Sequence, residues 1–235
     1  MAHRRKMAAF TVPGMLVPAL GAFFYFWMIP GTRIAALVYA ATKLFTLIWP
    51  LAALVLLEPG AVPWRLPQRP GRAVLEGLLS GSVMAAALLV LYLGTPLGQV
   101  ALDSAPAIRH KVAQLGVLEV FVPFSVFLAV AHSLLEEVYW RWFIFGQLGR
   151  LVGARPAHLL AAASFALHHY VVLLAYFPVW LALAAGTAVG AGGFFWCVLY
   201  GRHGSVLGAW ISHLLVDAAI LWAGYQILFV AGRAG

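Results

Sequence analysis

Charge is what this chain has least of. Seven acids and fifteen bases are spread through 235 residues, so 9% of the chain is charged, where soluble domains carry about a quarter. That scarcity excludes a solvated globular surface. With 64% hydrophobic residues and a mean hydropathy of +0.95, it leaves an integral membrane protein. Cysteine is nearly absent as well. Cys197 is the only one, which excludes an intrachain disulfide and a cysteine metal cluster, and its apolar surroundings make it a packing residue. The formal charge of +8 sits mostly in short segments between apolar runs. Membrane topology accounts for it there, and no nucleic-acid partner is called for.

What is there is a series of long apolar runs. The first follows His3-Arg4-Arg5-Lys6 in the manner of a signal peptide. It is too long for one and shows no clear A-x-A cleavage site, so it is expected to be an uncleaved first span. Proline, glycine and arginine clusters divide the chain into apolar segments near 8–29, 34–57, 73–94, 117–148, 157–177, 179–200 and 205–230. The predicted fold is all-α: a polytopic helical bundle of about seven transmembrane helices, forming a single membrane domain over 1–235 with three spans in 1–94. The mixed stretch 97–116 is predicted as a loop with an interfacial helix. Arg4, Arg5, Lys6, Arg65, Arg69, Arg72, Arg150, Arg155 and Arg202 fall on one side of this topology, and Arg33, Arg109, Lys111 and Arg233 on the other. The larger group marks the cytoplasmic side, placing the N-terminus inside a cytoplasmic or inner membrane. No internal repeat is present, and the small residues from Gly186 to Gly193 favour close helix packing.

Of the seven acids, Glu58, Glu76, Asp103 and Glu119 lie in loops or near span ends, whereas Glu136, Glu137 and Asp217 lie within spans. So do His132, His168, His169 and His213. An ionised side chain at a helix centre costs about 2.5–3.5 kcal/mol on insertion scales, which makes each of these a functional-site hypothesis. Glu137 and Arg141 stand at i and i+4 with the acid N-terminal, the favourable order for a salt bridge. Glu136, one residue step around the helix, is left without an obvious local partner, and His132 at i−4 could approach it. His213 and Asp217 repeat the i, i+4 spacing, so that Asp217 can fix the tautomer of His213. His168 and His169 point about 100° apart, and helix geometry does not choose between them. At about 1.5 Å per residue, Glu136 and His169 lie about 18 Å, and His213 about 12 Å, from the cytoplasmic ends of their spans. Those depths are compatible with a shared water-containing site.

These residues resemble the motifs of the CAAX-processing and bacteriocin-immunity intramembrane peptidases, the CPBP or ABI family. EExxxR is matched by Glu136-Glu137-Val138-Tyr139-Trp140-Arg141, FxxxH by Phe165 to His169, and HxxxN/D by His213 to Asp217. The resemblance covers 117–230, the expected peptidase core, and it selects His169 over His168. It implies a glutamate-dependent endopeptidase without cofactor or metal. In that scheme Glu136 activates a water, His169 assists, His213 with Asp217 stabilises the oxyanion, and Glu137 with Arg141 supports the site. Better-studied CAAX members carry asparagine at the position of Asp217. An ionised aspartate would repel an oxyanion, so Asp217 is expected to orient His213 or to be protonated.

The implied partners are a membrane-anchored protein or peptide substrate and the bilayer itself. Processing of C-terminal anchors or peptide precursors is favoured over prenyl-protein processing, because the chain is compact. Three other readings compete. A zinc-dependent membrane peptidase would use Glu136, His169, His213 and Asp217 as ligands, although HExxH is absent. A non-enzymatic scaffold or immunity-type binding protein would keep the polar cluster for helix association. A transporter would use the acids as a proton relay, against which the absence of repeat symmetry counts.

Overall fold

The structure is a computed structural model that describes residues 1–57 and 66–230. Glu58, Arg65 and Arg233, which entered the acid inventory and the orientation count above, lie outside the described residues. The helices in chain order are α1 (Ala2–Met28), α2 (Arg33–Leu57), α3 (Pro70–Gly94), α4 (Leu97–Asp103), α5 (Ala105–Gln114), α6 (Phe121–Val152), α7 (Ala154–Leu174), α8 (Val179–His203) and α9 (Leu207–Val230). Seven of them, all but α4 and α5, are long and apolar enough to cross a membrane. The chain is therefore an all-helical, multi-pass membrane protein, as its composition requires.

The ends differ from the sequence expectation for local reasons. Helix α1 begins at Ala2, ahead of its apolar run, because Arg4, Arg5 and Lys6 continue the helix where charged side chains can reach water. Helix α6 runs on to Val152 and stops at Gly153, whose φ of 86° suits glycine far better than an L side chain. Gly204, at φ 62°, ends α8 in the left-handed helical conformation. The stretch predicted as a loop with one interfacial helix forms two short helices, parted at Ser104, with proline in the first turn of the second.

Residues 1–66 and 136–206 form one compact unit, and residues 67–135 and 207–235 another. Helix α6 supplies its first half to the second unit and its remainder to the first. In the first unit, aromatic side-chain donors reach backbone carbonyls of neighbouring helices. Trp49 Nε1 donates to the Phe10 carbonyl at 2.8 Å, Trp27 Nε1 to that of Val171 at 3.0 Å, and Tyr139 Oη to that of Gly14 at 2.7 Å. Each bond satisfies the ring's polar atom from within the protein, and Tyr139 is buried as it does so. In the second unit, α3 and α9 meet along small residues. A Cβ on Gly77 would lie 2.6 Å from the Gly208 carbonyl oxygen, and one on Gly81 would lie 2.8 Å from Ser212 Cα. Ser80 Oγ donates to Ser212 Oγ at 3.1 Å, and Arg109 Nη1 donates to the Leu228 carbonyl at 2.6 Å, tying α5 to α9.

Many of the large apolar side chains face outward. Leu37, Val55, Val83, Leu93, Val126 and Leu159 are all exposed, as expected of helices whose solvent on one side is lipid.

Several segments depart from α geometry. Phe24–Met28, Leu128–His132, Val138–Phe145 and Gln226–Val230 are π-helical. Such widened turns are rare and are frequent at functional sites, and the longest begins directly after Glu137.

The α3–α9 contact is backbone against backbone and cannot yield as a flexible side chain would. Gly81→Val is expected to destabilise the protein by at least about 1–3 kcal/mol. Gly94→Ala, where a Cβ meets nothing within 4 Å, is expected to cost much less. Thermal unfolding of the two variants in detergent checks the contrast.

Candidate active site

The conspicuous polar feature of the first unit is an ion pair shielded from solvent. Glu137 and Arg141 are both 0% exposed, and Arg141 Nε lies 3.2 Å from Glu137 Oε2. The guanidinium has further partners. Its carbon sits 4.6 Å from the Phe165 ring centroid and 5.0 Å from that of Trp196, and Nη2 donates to the Gly193 carbonyl at 3.5 Å. Two aromatic faces and a carbonyl thus replace part of the lost hydration shell. Gly193 is required here. A Cβ on it would press on Phe165 Cδ1 at 2.8 Å and approach Arg141 Nη2 at 3.5 Å. The small residues of α8 therefore serve the close packing expected of them, around a buried cation.

Glu136 is the neighbour left outside this pair. Its side chain is 15% exposed, and its Oε1 lies 3.8 Å from His168 Nε2, on a side chain 16% exposed. The His168 ring stacks parallel to Trp140, at an interplanar angle of 4° and a centroid distance of 5.7 Å, and the edge of Phe165 meets it at 5.6 Å. Trp140, Phe143 and Phe165 are buried around these groups.

His169 is held differently. Its Nδ1 lies 2.9 Å from the Phe165 carbonyl. A carbonyl oxygen only accepts, so Nδ1 donates to it and carries a proton. The centroids of the His168 and His169 rings are 3.9 Å apart. Two rings whose helical positions diverge by about 100° therefore converge at their tips, which spacing alone does not predict.

In the second unit, His213 Nε2 lies 3.4 Å from Asp217 Oδ1, with the histidine almost fully buried and the aspartate partly exposed. The i, i+4 spacing brings them together as expected. Ser212, beside His213, accepts the bond from Ser80 described above. Neighbouring α6 is fastened to α9 by Trp210 Nε1, which donates to the Val130 carbonyl at 3.0 Å. His132 closes the π-helical segment Leu128–His132 of α6.

Of the sequence-predicted residues, the structure pairs Glu137 with Arg141 and His213 with Asp217, and sets Glu136 against His168. What the sequence reading missed is His168 as the neighbour of Glu136. The signal was available in Trp140, four residues beyond Glu136, which offers a flat face to a ring. Among the described residues no group of three or more histidines, cysteines and acids is arranged to hold a metal ion.

Fold and polar pairs together define a class: a multi-pass helical membrane protein whose ionisable groups are gathered inside its helices. Residues 118–219 match the family described as Rce1-like, type II CAAX prenyl endopeptidase Rce1-like, in keeping with the resemblance carried by the three motifs. The match spans less than half of the chain and contains Glu136, Glu137, Arg141, His168, His169, His213 and Asp217. At the level of the family it indicates an intramembrane CAAX-type protease, a hydrolase. No curated protein and no solved structure matches the chain significantly.

Removing one partner of the buried pair strands the other charge. Arg141→Ala and Glu137→Ala are each expected to cost about 3–5 kcal/mol, while Glu137→Leu combined with Arg141→Met is expected to recover much of that loss. Thermal melts of the purified variants check the order, and a double variant less stable than both singles would contradict it.

Proposed function

We propose that the protein is an intramembrane endopeptidase of the glutamate type, with Glu136 as the group that activates water. The observation that carries the proposal is the environment of Glu136. It is a partly exposed carboxylate inside an apolar span, beside a histidine and next to an arginine already engaged by Glu137. The 3.8 Å separating Glu136 from His168 exceeds a direct hydrogen bond, and the reacting water is proposed to bind against the Glu136 carboxylate. Glu136 takes a proton from that water as its oxygen bonds to the peptide carbonyl carbon. It then returns the proton to the leaving amine as the carbon–nitrogen bond breaks. His169, held by the bond from its Nδ1 to the Phe165 carbonyl, assists by accepting from the water. His168 orients the Glu136 carboxylate.

His213 is assigned the oxyanion role, with Asp217 as its orienting partner. Nε2 is the nitrogen that faces Asp217, so that Asp217 fixes the orientation of the imidazole, which in turn stabilises the oxyanion. Asp217 thus acts through the imidazole instead of contacting the oxyanion itself.

The substrate is proposed to be a membrane-associated protein or peptide cut near the bilayer. The family description points to prenylated CAAX tails, whereas the compact chain favours C-terminal anchors or peptide precursors. The proposed topology puts the N-terminus on the cytoplasmic side of a cytoplasmic or inner membrane, since most of the bases group there.

Cleavage of a panel containing a farnesylated CAAX peptide, an anchor peptide and a precursor peptide tests these assignments. Glu136→Gln, nearly isosteric, is expected to lower kcat at least about 100-fold, with wild-type cleavage surviving metal chelation. His169→Asn is expected to show a loss of similar size. Full activity in both variants would refute the mechanism. Cleavage lost on chelation and restored by zinc would transfer the chemistry to a metal.

A further inference from the structure

A second feature lies away from the ionisable cluster, where the beginning of α1 meets the end of α6 and the first half of α7. There the first unit has an open groove of about 560 Å³, with Arg4 and Arg5 at one end and Val12, Met15, Val152 and Leu160 along its walls. No acidic residue lines it. Arg4 is fixed in place, since its Nη2 donates to the Leu151 carbonyl at 2.6 Å. That bond satisfies a carbonyl in the last turn of α6 and leaves the other guanidinium donors of Arg4 for an anion.

The dimensions and chemistry specify the occupant. From Arg5 to Met15 the helix rises about 15 Å, half of the roughly 30 Å hydrocarbon thickness of a bilayer. The groove thus offers cationic fork-shaped donors at one end and an apolar channel one leaflet deep behind them. Val12, Val152 and Leu160 remain exposed along that channel. Free phosphate would use the arginines and leave the apolar wall uncovered. A zwitterionic lipid would fill the wall but bring its own cation toward the guanidinium groups. We infer that this groove is a binding site for an anionic phospholipid, its phosphate held by Arg4 and Arg5 and one acyl chain laid along α1. The inference is independent of the proposed peptidase chemistry.

Native mass spectrometry of the purified full-length protein, titrated with dioleoylphosphatidylglycerol or dioleoylphosphatidylcholine, tests it. The phosphatidylglycerol adduct is expected to form preferentially. Arg5→Gln, which leaves the Arg4–Leu151 bond intact, is expected to weaken it about fivefold, the contribution of one basic residue near a membrane surface. Arg5→Lys is expected to retain most of the affinity, and Arg5→Glu to lose more than the glutamine variant. Wild-type affinity for phosphatidylcholine in all three variants establishes that each is folded. Equal binding of the two lipids by the wild-type protein would overturn the inference, as would phosphatidylglycerol binding unchanged in Arg5→Glu. Displacement of the lipid by millimolar inorganic phosphate would also overturn it, because an anion site without the acyl channel would then suffice.

Discussion

A carboxylate and a guanidinium, both shielded from solvent, impose the constraint around which the first unit is organised. Neither Glu137 nor Arg141 can be solvated where it stands, so every atom near them must contribute to their neutralisation. Phe165 on α7, and Trp196 and the Gly193 carbonyl on α8, converge on the guanidinium from two neighbouring helices. The pair therefore fixes the rotation of α6 about its axis and the approach of α7 and α8. Glu136 inherits its position from this arrangement: with its neighbour committed to Arg141, it projects one step around the helix and meets His168.

The same scarcity of water explains how the rest is held. Helices in lipid gain little from burying apolar surface against one another, because the lipid is equally apolar. Contact must come from close packing and from polar atoms that find partners within the protein. The first unit uses indole and phenol groups that bond to backbone carbonyls across helices. The second uses glycines that bring α3 and α9 to backbone contact, with a serine pair between them. The π-helical turn following Glu137 belongs to the same economy, for a widened turn re-aims a run of bulky side chains without breaking the helix.

Water chemistry in such a setting needs a carboxylate that is held without being neutralised by a strong ion pair. Glu137 illustrates the structural use of a glutamate and Glu136 the use proposed for catalysis, and adjacent positions on one helix separate the two roles. The histidines divide in a comparable way. Phe165 fixes the protonated nitrogen of His169, Trp140 fixes the plane of His168, and Asp217 faces one nitrogen of His213. Aromatic and backbone contacts thus set properties of the imidazoles that their identity alone leaves open.

Composition and periodicity determined the fold class and the location of all seven long helices, because an apolar run of some twenty residues has no other way to satisfy its backbone in a membrane. They also determined the Glu137–Arg141 and His213–Asp217 pairs, since i, i+4 neighbours share a helix face whatever surrounds them. The exact ends of α1 and α6 and the division of the 97–116 stretch into two helices follow local signals that the apolar pattern does not weigh, Gly153 and a first-turn proline among them, whereas the identity of the residue facing Glu136 was decided by tertiary structure. The tips of His168 and His169 converge because Trp140 stacks on one ring and the Phe165 carbonyl binds the other. Those partners come from a separate helix in one case and from the preceding turn in the other. A linear pattern records which face of a helix a residue starts from, and the packing around its rotatable bonds decides where the functional atoms finish.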